Sequence, residues 1–370
     1  MRGSNRRRGW GSSLKSGNLL KHWLRMALLA IALCLTLPAA ARADALRILP
    51  EAGRADFLRA FAEARSRIRI EICVLEDPQI LAGLQQALNR GVRVQVIADN
   101  GKYQALQSER TNLANYVVAA GGELHLSNPI FPRSFPKVIL IDDRKALVGS
   151  ACLDTTTFQQ YRDYFLITAN RVLIRDLSNL FDNDWRYSAA PGDAAPPFNP
   201  TPKLVWPSLT VGPVSAAAKL TAMIQSARSR LDVTSELLGN AALESELIAA
   251  VQRGVTVRLI SPLCVNGATT EIQDLQNASL RKLRDAGVQL HVTGPVQSFQ
   301  TPYMHARTML ADGARLYVGS ISLSPDSATF NREVGLFLGE ATPVRSYAAR
   351  FNIDFASLST PFTADCPVNP

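Results

Sequence analysis

Apolar positions along the chain keep helical spacing in some stretches and strand spacing in others. Leu81, Leu84 and Leu88 lie at helical intervals, as do Leu243, Leu247 and Val251. Each set predicts a helix with one apolar stripe, over 79–89 and 241–252. Both runs end in Arg-Gly-Val: Arg90, Gly91, Val92 and Arg253, Gly254, Val255. Glycine closes a helix, and the alternating valines that follow open a strand, over Val92–Ala98 and Val255–Ser261. Upstream, helices over 53–66 and 215–229 precede strands over 68–75 and 231–236. Downstream, a third helix leads to strands ending in Glu123–Leu126 and Gln289–Val292. Strand pairs follow, 137–142 with 145–149 and 307–311 with 315–319. This alternation predicts an α/β fold whose sheets are mixed, mostly parallel and flanked by helices.

The same grammar appears twice. Ala64-Arg65-Ser66-Arg67 returns as Ala227-Arg228-Ser229-Arg230, and Arg90-Gly91-Val92 returns as Arg253-Gly254-Val255, both at an offset of 163. Ala120-Gly121 returns at 286–287, Gly149-Ser150 at 319–320, and Phe181-x-x-Asp184-Trp185 as Phe351-x-x-Asp354-Phe355. Matches in one order, with an offset that only grows to 170, indicate a duplication with loop insertions. The expected organisation is a first half at 44–188, a Pro- and Ala-rich connection at 189–207, a second half at 208–358 and a tail at 359–370. The connection reads either as an ordered crossover or as a flexible tether.

Charge sharpens the picture by its location. The chain carries a formal +9, but residues 1–43 hold eight Lys and Arg and no acid, which leaves about +1 for the rest. A nearly neutral body gives no electrostatic support for polyanion binding. Residues 1–43 combine a basic start, an apolar run over Met26–Pro38 and the small-x-small triplet Ala41-Arg42-Ala43. This is the pattern of a secretion signal; the alternative is an uncleaved membrane anchor. Export to a periplasmic or extracellular space permits disulfides among Cys73, Cys152, Cys264 and Cys366, and all three pairings stay open. Cys73, in an apolar run, reads equally well as simply buried. No Cys/His cluster has metal-ligand spacing, so no metal and no cofactor is expected.

The chemistry concentrates after each third strand. The second half reads His305-x-Arg307-x4-Asp312-x6-Gly319-Ser320-x-Ser322, with Glu333 further on. His305 and Arg307 are two apart on a strand and so share a face. Gly319-Ser320 ends the paired strand, where a hydroxyl and free N–H groups can hold an anion. Glu333 is the expected partner for the far nitrogen of His305. The first half reads Phe135-x-Lys137-x4-Asp142-x6-Gly149-Ser150-x-Cys152, with Asp163 at the same distance as Glu333. Asp142 and Asp312 are expected to anchor turns. His125 and His291 hold matching strand positions outside the motif and are read as structural.

These residues resemble the phospholipase D signature His-x-Lys-x4-Asp-x6-Gly-Ser-x-Asn with its downstream acid. Arg307 stands for the family's lysine, Ser322 and Cys152 for its asparagines, and Phe135 for its first histidine. The resemblance implies two α/β halves about a pseudo-twofold, their motifs meeting in one cleft within a monomer. It implies a phosphohistidine mechanism at His305 with Glu333 and Asp163, a phosphoryl group held by Lys137, Arg307, Ser150, Ser320 and Ser322, and frame residues Asp142, Asp312, Gly149 and Gly319. It implies no metal, because cationic side chains neutralise the developing charge. With one histidine, His305 works with a substitute acid such as water or a nearby carboxyl. The leading expectation is a phosphodiesterase or phosphatidyltransferase acting on phospholipids at a membrane surface. The alternatives are a weak or inactive relative that binds phosphodiester head groups or a protein, and a nuclease, which the neutral body disfavours.

Overall fold

The computed structural model describes residues 44–106, 113–199, 202–294 and 297–367. Residues 1–43, where a secretion signal is expected, lie outside them, as do residues 200–201 of the connection. Strands are numbered in chain order. The first sheet runs β1 (Ala45–Leu49), β7 (Tyr161–Thr168), β6 (Lys145–Gly149), β5 (Val138–Ile141), β2 (Arg67–Ile72), β3 (Arg93–Ala98) and β4 (Glu123–Leu126). The second runs β16 (Thr360–Pro361), β11 (Gln289–Thr293), β10 (Thr256–Pro262), β9 (Arg230–Thr234), β13 (Arg307–Ala311), β14 (Arg315–Gly319), β15 (Glu333–Leu338) and β8 (Leu209–Gly212). The remaining strand, β12 (Tyr303–Met304), leaves its own half and pairs in parallel with β7.

The duplication and the α/β architecture are as expected, but the strand balance is not. Only β2–β3–β4 and β9–β10–β11 run parallel within the sheets, and the remaining neighbours are antiparallel. The helical crossovers serve the parallel strands alone. The motif strands join through tight turns, which reverse direction. The acid-bearing strands β7 and β15 and the edge strands β1 and β8 escaped the apolar pattern. Arg162, Asp163, Arg332 and Glu333 are buried charges that break any alternation.

The repeated triplets have local causes. Gly91 and Gly254 adopt φ of 82° and 86°, a left-handed turn that closes the preceding helix cheaply only with glycine. Arg90 and Arg253 reach back to the carbonyls of Phe61 and Ile224, tying each helix to its predecessor. Asp142 accepts the backbone N–H groups of Arg65, Ser66 and Arg67, and Asp312 those of Arg228, Ser229 and Arg230. Both aspartates therefore anchor turns, as expected. Burial pushes their carboxyls up, but these hydrogen bonds outweigh it and lower both to about 2. His125 stacks on Trp185 and His291 on Phe355, each with centroids 3.8 Å apart. The repeated Phe-x-x-Asp-Trp/Phe helices thus clamp the structural histidines.

Disulfides join Cys73 to Cys152 and Cys264 to Cys366. The second bridge, with the β16–β11 pairing, fastens residues 360–366 to the second half. The described part of the connection is an ordered crossover: Asp176 accepts the N–H groups of Val205 and Trp206, and Asn128 donates to Pro196.

Each half has its own core, and a third core lies between the sheets. Val138, Leu140, Val148 and Leu166 meet Met304, Leu310, Val318 and Leu336 there. Two buried ion pairs cross the same interface. Arg162 pairs with Asp354 at 2.9 Å, and Arg332 pairs with Asp184 at 2.7 Å. These aspartates are the repeated ones of the Phe-x-x-Asp helices.

Truncating one partner of such a pair strands a buried charge. Arg332→Met is expected to cost about 3–5 kcal/mol, read as a lowered denaturant midpoint. A loss under about 1 kcal/mol would deny the pair its structural role. Acid should act through Asp142 and Asp312, whose folded values lie below the ordinary 3.8. Their contribution is present above that value and lost as pH falls toward about 2. Melting curves of Asp312→Asn should lose part of this acid dependence.

Candidate active site

The parallel pairing of β12 with β7 sets Tyr303 against Tyr161, and so brings His305 beside Asp163 of the other half. His305 is 8% exposed, and its Nδ1 lies 2.8 Å from Asp163 Oδ2. The carboxylate accepts, so Nδ1 carries a proton, and Nε2 lies on the other side of the ring. Ser150 donates from Oγ to the other oxygen of Asp163 at 2.5 Å. Burial pushes Asp163 up, but His305, Arg307 and Lys137 outweigh it and hold the carboxyl below its usual range. Tyr161 stacks on the imidazole with centroids 5.0 Å apart. The ring is therefore fixed in tautomer and in plane.

This corrects one expectation. Glu333 does not orient His305; Asp163 does, from the opposite half. Glu333 accepts from Ser327 at 2.7 Å and from Asn331 at 3.2 Å through Oε1. Its Oε2 is buried with no hydrogen-bond partner among the described residues. A twofold copy of the His305–Asp163 contact would place a ring at Phe135 beside Glu333. The backbone supports that equivalence: Ser134 bridges Arg332 in parallel, as Met304 pairs with Arg162. The apolar phenyl of Phe135 leaves Glu333 without the partner its position provides for.

The cations converge here. Arg307 Nη1 lies 3.4 Å from both imidazole nitrogens and from the Ser150 carbonyl. Lys137 is 3% exposed, at φ 52°, with its ammonium 5.6 Å from the centre of the Phe135 ring. Burial, then the Arg307 charge, lowers Lys137 to about 7. Burial raises Glu333 to about 7, against the pull of Lys137. The two titrate together, so near neutrality the pair holds an exchangeable proton.

The serines are more committed than their motif positions suggest. Ser320 Oγ bonds the backbone of Val334, and Ser322 Oγ bonds Ser324. Gly149 and Gly319 are frame positions: a Cβ there would come 2.0 Å from the Tyr164 carbonyl and 2.5 Å from Gly335. Cys152, at an asparagine position of the motif, is closed off by its bridge to Cys73.

Sequence reasoning missed Glu236. It follows β9, pairs with Arg307 Nη2, lies 3.7 Å from His305 Nε2 and accepts from the Tyr303 hydroxyl at 3.1 Å. The signal was present: at the repeat offset of 163, Glu236 matches Cys73. A change from thiol to carboxylate beside a motif marks a difference between the halves.

A fixed imidazole beside two cations can attack or bind a phosphoryl group. Comparisons with known proteins agree with the architecture. A phosphatidylserine synthase structure from Haemophilus influenzae Rd KW20 superposes with a TM-score of 0.68 at 12% identity, covering 86% of this chain and 87% of that one. A polyphosphate kinase structure from Porphyromonas gingivalis gives 0.59 at 20%, covering 85% and 47%. At such identities the likeness is one of fold. Among curated sequences, Probable cardiolipin synthase YwiE of Bacillus subtilis (strain 168) is 24% identical over 237 residues. That alignment takes in 60% of this chain and 46% of the relative, so the chain spans under half the relative's length. The family model described as cardiolipin synthase, PLD-like domain, matches residues 57–185 and again 220–355, one match to each half. The chain therefore belongs to that PLD-like family, within the phospholipase D superfamily.

Proposed function

We propose that the protein is an exported phosphatidyltransferase or phospholipase D-type phosphodiesterase acting on phospholipids through His305. The carrying observation is the 2.8 Å contact of Nδ1 with Asp163, which leaves Nε2 as the nucleophilic atom beside Arg307. In the first step Nε2 attacks phosphorus and the bond to the head-group oxygen breaks. That oxygen takes a proton from Glu333, whose buried carboxyl is half protonated near pH 7. In the second step an alcohol or water gives its proton to Glu333, attacks phosphorus and breaks the P–N bond. Lys137 and Arg307 hold the phosphoryl oxygens throughout. The kinship with synthases favours an alcohol over water as acceptor.

Three exposed apolar side chains support contact with a bilayer. Ile130, Phe299 and Phe330 are 63%, 50% and 54% exposed, on loops that lead to Phe135, His305 and Glu333. Among the described residues no helix is long and apolar enough to cross a membrane. These loops would meet the bilayer, and segment 1–43 would direct export or act as an uncleaved anchor. Phe135 and the Cys73–Cys152 bridge favour a second reading, in which the site binds a phosphodiester head group without turnover.

Turnover of labelled phospholipid vesicles, with and without an alcohol acceptor, separates the two. The enzyme reading expects product from the wild type and at least a 10³-fold loss in His305→Ala, by the scale of nucleophile removal. Wild type that binds vesicles and forms no product under any acceptor leaves only the binding reading. Glu333→Gln should cost about 10²–10⁴-fold and remove the limb of the rate profile near pH 7. Phe135→His should raise the rate about tenfold or more by restoring the missing shuttle. Nitrogen-15 spectra of His305 should show the proton on Nδ1, and Asp163→Asn should change that tautomer.

A further inference from the structure

Glu236 lies outside the signature, yet its carboxylate stands beside the imidazole nitrogen that faces away from Asp163. Its carboxylate has three partners: the Arg307 guanidinium, His305 Nε2 at 3.7 Å and the Tyr303 hydroxyl at 3.1 Å. Tyr303 in turn accepts the Asn266 N–H at 3.1 Å, so its proton is committed to Glu236. The side chain is 12% exposed, a fixed element of the cleft and not a loose surface acid. Burial would raise it, but His305, Arg307 and Lys137 outweigh burial and keep it ionised.

The consequence is a charge count. Arg307 and Lys137 are the cations that face the reacting nitrogen, and Asp163 lies behind the ring. With Glu236 in front and Asp163 behind, two carboxylates offset the two cations, and the cleft carries no surplus positive charge. The Glu236 carboxylate lies 3.7 Å from Nε2, so a dianion placed there is repelled about twice as strongly as a monoanion. A phosphodiester carries one charge, whereas a phosphomonoester carries nearly two above its second pKa of about 6. At the matching first-half position Cys73 is bound to Cys152, so that half offers no carboxylate there.

We propose that Glu236 sets the charge selectivity of the cleft, admitting phosphodiester monoanions and turning away monoester dianions, including the monoester that hydrolysis would release. This rests on the phosphodiester reading above and adds its substrate class.

The test is calorimetric titration of the full chain at pH 8 with dimethyl phosphate, a diester monoanion, and methyl phosphate, a monoester dianion. Wild type should bind the diester at least tenfold more tightly, and Glu236→Gln and Glu236→Ala should shrink that ratio by tenfold or more. An unchanged ratio in folded variants, checked by melting, overturns the proposal. So does loss of lipid turnover in Glu236→Gln with the ratio intact, which would make Glu236 a catalytic carboxylate. If the variants do not fold, wild type still decides. Its preference for the diester should grow as pH rises through about 6, where the monoester takes its second charge. Lys137 and Glu333 titrate at about 7 and weigh more on the dianion, so the preference is read between about pH 5 and 6, where the monoester gains its second charge first. A preference flat with pH overturns the proposal. Dimethyl phosphate binding with lipid turnover but no charge preference removes the role of Glu236 alone. No binding and no turnover removes the phosphodiester reading as well.

Discussion

Two buried arginine–aspartate pairs crossing the interface hold the site in register. Arg162 reaches Asp354 and Arg332 reaches Asp184, each from one half to the other. In both strands the next residue is the site acid, Asp163 or Glu333. Successive side chains on a strand point to opposite faces. Anchoring the arginine on one face therefore aims the carboxylate from the other. Neighbours at the interface are close-packed hydrophobes, which set distance but not register. The charged pairs supply the directionality, and their burial makes a misregistered interface costly.

The site this frame serves is symmetric in backbone and asymmetric in chemistry. One half of the twofold pattern is complete, with imidazole, short acid and serine linked in a chain. The other half keeps its acid and its cation but has a phenyl ring where the second imidazole belongs. A buried carboxylate without its partner is unfavourable when ionised, so it takes up a proton. Loss of one histidine thereby creates a carboxylic acid able to exchange a proton near neutrality. The same substitution that removes the usual shuttle leaves a group of suitable pKa beside the gap.

Much of this was legible in the chain. The duplication and the turn-anchoring aspartates follow from spacing, and the nucleophile candidate and both motif cation positions follow from the resemblance to the phospholipase D signature. The partner of His305 did not. Within one half, Glu333 sits at a plausible distance downstream, whereas Asp163 belongs to another copy 142 residues away. Spacing along a chain cannot report contacts made by an interface between repeats. Glu236 was hidden for a different reason: it lies beyond the motif, and only a comparison of the two copies marks it. The excess of antiparallel strands was hidden because β7 and β15 bury arginine and acid side by side. Their polarity reads as surface until the crossing pairs are known.

Three carboxylates within one cleft show how position, not residue type, assigns protonation. Asp163 has both oxygens satisfied, by His305 and by Ser150, and its charge is favoured. Glu236 meets a guanidinium and a phenol and is also held ionised. Glu333 is equally enclosed, but one oxygen has no donor, and burial dominates. Environments that push like groups apart assign distinct roles: one orients, one balances charge and one carries a proton. Exchanging the environments would exchange the roles. Each carboxylate finds two donors, so the decisive variable is whether both of its oxygens are reached, as in Asp163 and Glu236, or only one, as in Glu333. For Asp163 one of those donors, His305, comes from the opposite half, and at Glu333 the matching place holds the phenyl ring of Phe135.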